Sequence, residues 1–75
     1  MANLTERQVA VLRTLARQEY PTIRDLSDWT RIPRSSAPTA VMSLVRDGLA
    51  RKAGVANSGG TTFTITDAGH AALEG

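Results

Sequence analysis

Gly54-Val55-Ala56-Asn57-Ser58-Gly59-Gly60, followed at once by Thr61-Thr62-Phe63-Thr64-Ile65, decides the fold. The first seven residues are rich in glycine, asparagine and serine, the chemistry of a hairpin loop. The next five alternate with period two, which reads as a strand with Phe63 and Ile65 inward and the threonines outward. Leu49 to Ala53, just before the loop, reads as its partner strand. Everything else in the 75 residues has helical spacing or turn chemistry. A helical chain that carries one such hairpin differs from a plain three-helix domain.

Upstream, Thr5 and Gln8 have capping-box spacing, and Leu4 and Val9 occupy the staple positions around that cap. Val9, Leu12, Leu15 and Ala16 follow at helical spacing as the expected core stripe, with Ala10 and Val11 outside it. Arg7, Arg13, Arg17 and Gln18 are expected in solvent. Tyr20-Pro21 is expected to end the helix, because the residue before proline avoids helical angles. Thr22 and Asp25 open a second, short helix that runs to about Arg31, with Ile23, Leu26 and Thr30 inward. Trp29 falls beside that stripe and is expected to be partly buried. Ile32 and Pro33 make the turn.

The third helix starts within Arg34-Ser35-Ser36-Ala37-Pro38. Proline lacks an amide hydrogen, so Pro38 belongs in the first turn, where that amide has no partner anyway. Either Ser35 or Ser36 is then the N-cap. Val41, Leu44 and Val45 carry the helix to Arg46-Asp47. Gly48 supplies a left-handed cap, and Leu49 folds back as its apolar partner. After the hairpin, Thr66 caps a last short helix, with Ala68, Ala71, Ala72 and Leu73 as core candidates. The order is mostly helical with a small β-hairpin. It spells a winged helix-turn-helix in one domain over residues 1–75: three-helix bundle, two-stranded wing, short C-terminal helix.

Hydrophobic residues make up 41% of the chain, enough for one compact core. There is no cysteine, hence no disulfide and no thiolate metal site. The lone histidine, His70, sits in the terminal helix as a surface or boundary residue. No Ser-His-acid arrangement, phosphate loop or metal-ligand spacing is present, so neither an enzyme nor a cofactor is expected. The N-terminal residues lead straight into a polar helix start without an apolar signal core, and no apolar run would span a bilayer. A cytoplasmic place and no membrane partner are expected.

The net charge is +2, but it is unevenly spread. Residues 31–52 hold five basic residues (Arg31, Arg34, Arg46, Arg51, Lys52) and one acid, Asp47, while the rest has four basic residues and six acids. Phosphate binding depends on local positive potential more than on total charge.

Three stretches resemble the winged helix-turn-helix core of MarR-type bacterial transcription regulators. They are Leu4 to Leu12; Asp25-Leu26 through Ile32, Ser35-Ser36-Ala37, Val41, Leu44 and Asp47-Gly48-Leu49; and Phe63 to Gly69. The resemblance implies double-stranded DNA as the partner, with the third helix in the major groove. Full-length members carry further helices for the dimer and the ligand pocket, which 75 residues do not accommodate. It therefore implies neither that dimer nor an effector, and a homodimer stays open. Wings of this kind often carry arginine for the minor groove, whereas Gly54 to Gly60 carries no charge.

With Ala37, Val41 and Leu44 inward, Ser36, Thr39, Met42, Ser43 and Arg46 point outward. Ser36, Thr39 and Ser43 are candidates for base edges and Met42 for a thymine methyl. Arg34 precedes the helix and is the leading contact, to phosphate or guanine. Ser35 stands beside it. Arg31, Arg51 and Lys52 are phosphate candidates. Each has a plainer role as well: the serines as caps, Arg46 as a cation in a helix's last turn, Arg51 and Lys52 as guards of a strand edge. The apolar face around Met42 carries the alternative function, a winged helix that binds a protein as a small inhibitor or adaptor. An exposed Trp29 near Met42 would mark such a contact.

Overall fold

The computed structural model describes residues 4–74; the reading of the first three residues lies outside it. Four helices and one hairpin follow in the order α1 (Glu6–Arg17), α2 (Ile23–Thr30), α3 (Ala37–Arg46), β1 (Ala50–Val55), β2 (Thr61–Ile65) and α4 (Asp67–Glu74). This is the winged helix-turn-helix arrangement expected from the hairpin.

Local chemistry sets both early helix starts. The Thr5 side chain accepts from the Gln8 amide at 3.1 Å, and the Gln8 side chain accepts from the Thr5 amide at 2.9 Å. Thr22 and Asp25 repeat the exchange at 3.1 Å each way. Such a cap contributes about 1 kcal/mol. The helix α1 ends at Arg17, three residues before the Tyr20-Pro21 expected to stop it, and Gln18 is already extended.

Its buried face also differs from the expected stripe. Val11 is fully buried with Leu12 and Leu15, while Val9 is half-buried and Ala16 exposed. The cause is that α1 is surrounded: α2, α3, α4 and β2 all pack on it. Its buried arc is thus set by four neighbours rather than by the most apolar line on its own wheel.

The helix-turn-helix turn is sewn by short polar bonds. The buried Ser27 hydroxyl donates to the Ile32 carbonyl at 2.6 Å, and Thr30 donates to Leu26 O at 2.6 Å. Arg31 closes α2 in the left-handed conformation, φ 62°. These bonds let Ile32 join the core as a turn residue.

In α3, Ala37, Ala40, Val41 and Leu44 are buried at the i, i+3, i+4, i+7 spacing of one helical face. Ser36 is the N-cap residue, but its backbone is helical and its side chain makes no capping bond. The expected serine cap is therefore present by position and not by chemistry. The turn is held instead by the Ser36 and Ala37 amides, which donate to Pro33 O at 2.8 and 2.9 Å. At the other end, Gly48 at φ 78° donates to Val45 O at 3.1 Å, and Leu49 donates to Leu44 O at 2.9 Å. Together these form a Schellman cap.

The hairpin is antiparallel, and β1 reaches Val55, two residues further than expected. The register moves from Lys52 opposite Phe63 to Gly54 opposite Thr62, so Ala53 is an extra, bulged residue. In β2 the alternation fails at one point: Thr62 is buried beside Phe63. The α1–α2 linker covers it, through a bridge from Thr22 to Thr62 and a bond from the Phe63 amide to Pro21 O at 2.9 Å.

Thr66 accepts from the Gly69 amide at 3.1 Å and donates to Gly48 O at 2.6 Å, so the residue that starts α4 also ties it to the end of α3. Ala68 and Ala71 are exposed rather than in the core, whereas Ala72 and Leu73 pack against it. The close contact is made by Gly69, the buried residue of α4.

Candidate nucleic-acid interface

The outer face of α3 mirrors its inner one. Thr39, Met42, Ser43 and Arg46 recur at the same i, i+3, i+4, i+7 spacing and line a groove of about 370 Å³. Thr39, Met42 and Arg46 are exposed, and Ser43 is half-buried. A second groove, of about 360 Å³, continues past the start of the helix and is lined by Thr5, Arg7, Gln8, Ser35, Ser36, Thr39, Ala40 and Ser43. Thr39 and Ser43 line both, so the two grooves adjoin in a strip along the outer face of α3. Six of the ten candidates lie on it or at its head: Ser35, Ser36, Thr39, Met42, Ser43 and Arg46.

The other four stand around it. Arg34, exposed in the turn before α3, reaches Asp28 of α2 at 3.9 Å. With both side chains more than half exposed, such a pair is worth about 0–1 kcal/mol, so it orients Arg34 without holding it. Arg31 is exposed at the left-handed end of α2. Arg51 and Lys52 are exposed neighbours on β1, and successive strand residues leave on opposite faces. They therefore do not form one basic patch.

Ser43 is partly engaged within the fold. Its hydroxyl donates to Ala40 O at 2.8 Å and accepts from the Gln8 side-chain amide at 2.8 Å. Gln8 thereby bridges the N-cap of α1 to the middle of α3. Sequence reading found Gln8 as half of a capping box and missed this second bond, which joins residues 35 apart. It also assigned Arg7 to open solvent; Arg7 is exposed, but at the head of the α3 strip.

Trp29 is 51% exposed and Met42 41%. Trp29, expected to be partly buried, is instead exposed, because it lies past the arc of α2 that Ile23, Leu26 and Ser27 turn inward. Among the described residues no group of three or more acidic or histidine side chains is placed to hold a metal ion. Among them, too, no helix is long and apolar enough to cross a membrane.

Residues 4–69 match the family model described as a winged helix DNA-binding domain. No curated protein matches the sequence. Among solved structures, BpsR of Bordetella bronchiseptica, whose DNA binding is described as regulated by 6-hydroxynicotinic acid, is similar at 23% identity and TM-score 0.87 over 97% of this chain and 53% of its own. The multiple antibiotic-resistance repressor (MarR) of Listeria monocytogenes is similar at 26% identity and TM-score 0.83, over 96% of this chain and 48% of its own. A mutant of MepR from S. aureus, solved bound to an oligodeoxyribonucleotide, is 19% identical with TM-score 0.81, over 93% of this chain and 53% of its own. The chain spans about half the length of these structures. The resemblance to a MarR-type winged core holds across nearly the whole chain.

Proposed function

Because this chain belongs to the winged helix DNA-binding domain family, we propose that it is a small transcriptional regulator that reads duplex DNA with α3 in the major groove. The observation that carries this is the outer face of α3, with Thr39, Met42 and Arg46 exposed in one line. In this reading Thr39 and Ser43 meet base edges and Met42 meets a thymine methyl. Arg46 and Arg34 take phosphates at the two ends, Arg34 alternatively a guanine, with Ser35 and Ser36 beside it. Arg31, Arg51 and Lys52 add phosphate contacts from outside the strip and set orientation rather than sequence.

Fluorescence anisotropy on labelled duplexes at two salt concentrations tests it. Affinity falls steeply with salt, and Arg34→Ala weakens binding about tenfold, the loss of one good charged contact. No binding at low salt would end the proposal.

One observation favours a second reading: Trp29 is half exposed on α2, where the α3 reading gives it no task. There the domain docks a protein, as an inhibitor or adaptor, through Trp29 and Met42. Met42→Glu separates the two. An acid on the phosphate-facing strip abolishes duplex binding if α3 reads DNA, and leaves it unchanged if Met42 serves only a protein.

A further inference from the structure

We infer that the groove at the head of α3 seats one phosphate of the DNA backbone, with Arg7 of α1 as its cation. The inference rests on the DNA-binding reading and adds a contact from outside the helix-turn-helix.

Thr5, Gln8, Ser35, Ser36 and Thr39 bring hydroxyl and amide groups to the lining, Ser43 gives its hydroxyl hydrogen to Ala40 O, and Ala40 is apolar. Among the described residues of the lining Arg7 is the one charged side chain, and none is a carboxylate. Glu6, its neighbour in the first turn, is exposed and outside the lining. Such a groove favours an anion with several acceptor oxygens. The hydroxyl groups are not equivalent. Ser43 and Gln8 are bonded to each other, whereas Ser36 occupies the cap position without capping. Its helical backbone angles keep its hydroxyl off the helix amides and leave it for a ligand.

The seat is also rigid. The bond from Gln8 to Ser43, at 2.8 Å, fixes the first turn of α1 against α3, and Arg7 is the residue next to Gln8. The opposite wall is the turn held by two bonds to Pro33 O. An arginine carried on a tied helical backbone has less backbone freedom to lose on contact than one on a loop.

The ligand is assigned to a polymer rather than to a free ion because Thr39 and Ser43 line both this groove and the one on the outer face of α3. Arg7 and Arg46 then flank the two ends of a ten-residue helix.

The test is the salt dependence of anisotropy on one random-sequence labelled duplex, for the wild type, Arg7→Gln and Arg13→Gln. Arg13 is exposed on the same helix outside the groove, so its variant removes the same charge elsewhere. Circular dichroism checks that all three are equally folded. Arg7→Gln lowers the slope of log affinity against log salt by about 0.9, one phosphate contact, and Arg13→Gln leaves it unchanged. On a preferred and a random duplex the loss for Arg7→Gln is the same factor, because a phosphate contact carries no sequence information. Equal slopes for Arg7→Gln and the wild type overturn the seat, and so does an equal fall in both variants, which marks general attraction. A wild type that binds no duplex at low salt rejects the DNA reading itself, a separate and recognisable failure.

Discussion

Replacing Gly69 with alanine probes the joint that holds α4 against the end of α3. A methyl group built on Gly69 lands on the carbonyl oxygen of Leu49, 2.6 Å from Cγ1 of Ile65 and 3.2 Å from the carbonyl carbon of Leu49. A side chain swings aside at little cost, but the Leu49 backbone does not. Its amide is tied to Leu44 O at 2.9 Å and its carbonyl accepts from the Thr66 amide at 3.1 Å. Relief therefore requires α4 to move off the core. Overpacking of this kind costs about 1–3 kcal/mol, and a backbone obstacle puts the cost at the upper end. The better helix propensity of alanine returns about 1 kcal/mol. The net loss is roughly 2 kcal/mol. For a domain of this size that lowers Tm by about 8–16 °C. Thermal unfolding followed by far-ultraviolet circular dichroism reads it directly. Gly48→Ala is the contrast, since its methyl meets nothing within 4 Å and only the positive φ of 78° opposes it. That strain costs about 1–2 kcal/mol. A Gly69→Ala variant more stable than the wild type by about 1 kcal/mol would refute the packing argument, because the propensity gain would then stand unopposed.

Gln8→Ala removes both the bond to the Thr5 amide and the bond to Ser43, the first exposed and the second part-buried. The loss is about 1–2 kcal/mol by urea unfolding, with weaker duplex binding as α3 loosens on α1. Arg31 holds a left-handed angle that glycine adopts freely, so Arg31→Gly is more stable than Arg31→Ala by about 1 kcal/mol, while anisotropy finds the two equally impaired in DNA binding. Asp28→Asn frees Arg34 and removes an acid beside the turn; stability stays within about 0.5 kcal/mol and duplex affinity rises several-fold at low salt.

What was readable in the sequence shares one property: the interaction closes within a few residues. Thr5 with Gln8, Thr22 with Asp25, and Gly48 with the last turn of α3 are each complete in one stretch of chain. Their chemistry allows few alternatives, so the elements they bound are correct. The hairpin followed for the same reason, although its bulge at Ala53 did not, since a bulge is a property of two strands in register. The misplacements involve neighbours remote in sequence. Val11 is buried because four elements surround α1, and no wheel of α1 alone contains them. Thr62 is buried because Pro21 and Thr22 lie along its edge, which strict alternation treats as solvent. Ala68 and Ala71 were assigned the α4 contact by hydrophobicity, whereas the close approach to Leu49 requires the absence of a side chain, which Gly69 supplies.

The same division explains why the interface was only partly legible. A helix's outer face follows once its inner face is known, so Thr39, Met42, Ser43 and Arg46 emerged from the spacing of Ala37, Val41 and Leu44. The head of the strip did not. Arg7 sits on a wheel position that reads as solvated, and that reading is correct for its burial and silent about its surroundings. Its place beside Ser35 and Thr39 depends on how α1 crosses α3, which the Gln8–Ser43 bond helps to set. Positive charge counted along the chain pointed to residues 31–52. In space, part of that charge is dispersed: Arg51 and Lys52 leave β1 on opposite faces, and Arg34 is paired with Asp28. The proposed phosphate seat draws its cation from outside residues 31–52, where the linear count has four basic residues and six acids. The linear profile and the proposed seat thus draw on different cations, those of residues 31–52 in the one and Arg7 in the other. What brings Arg7 beside α3 is visible only in three dimensions, in the Gln8–Ser43 bond between the first helix and the third.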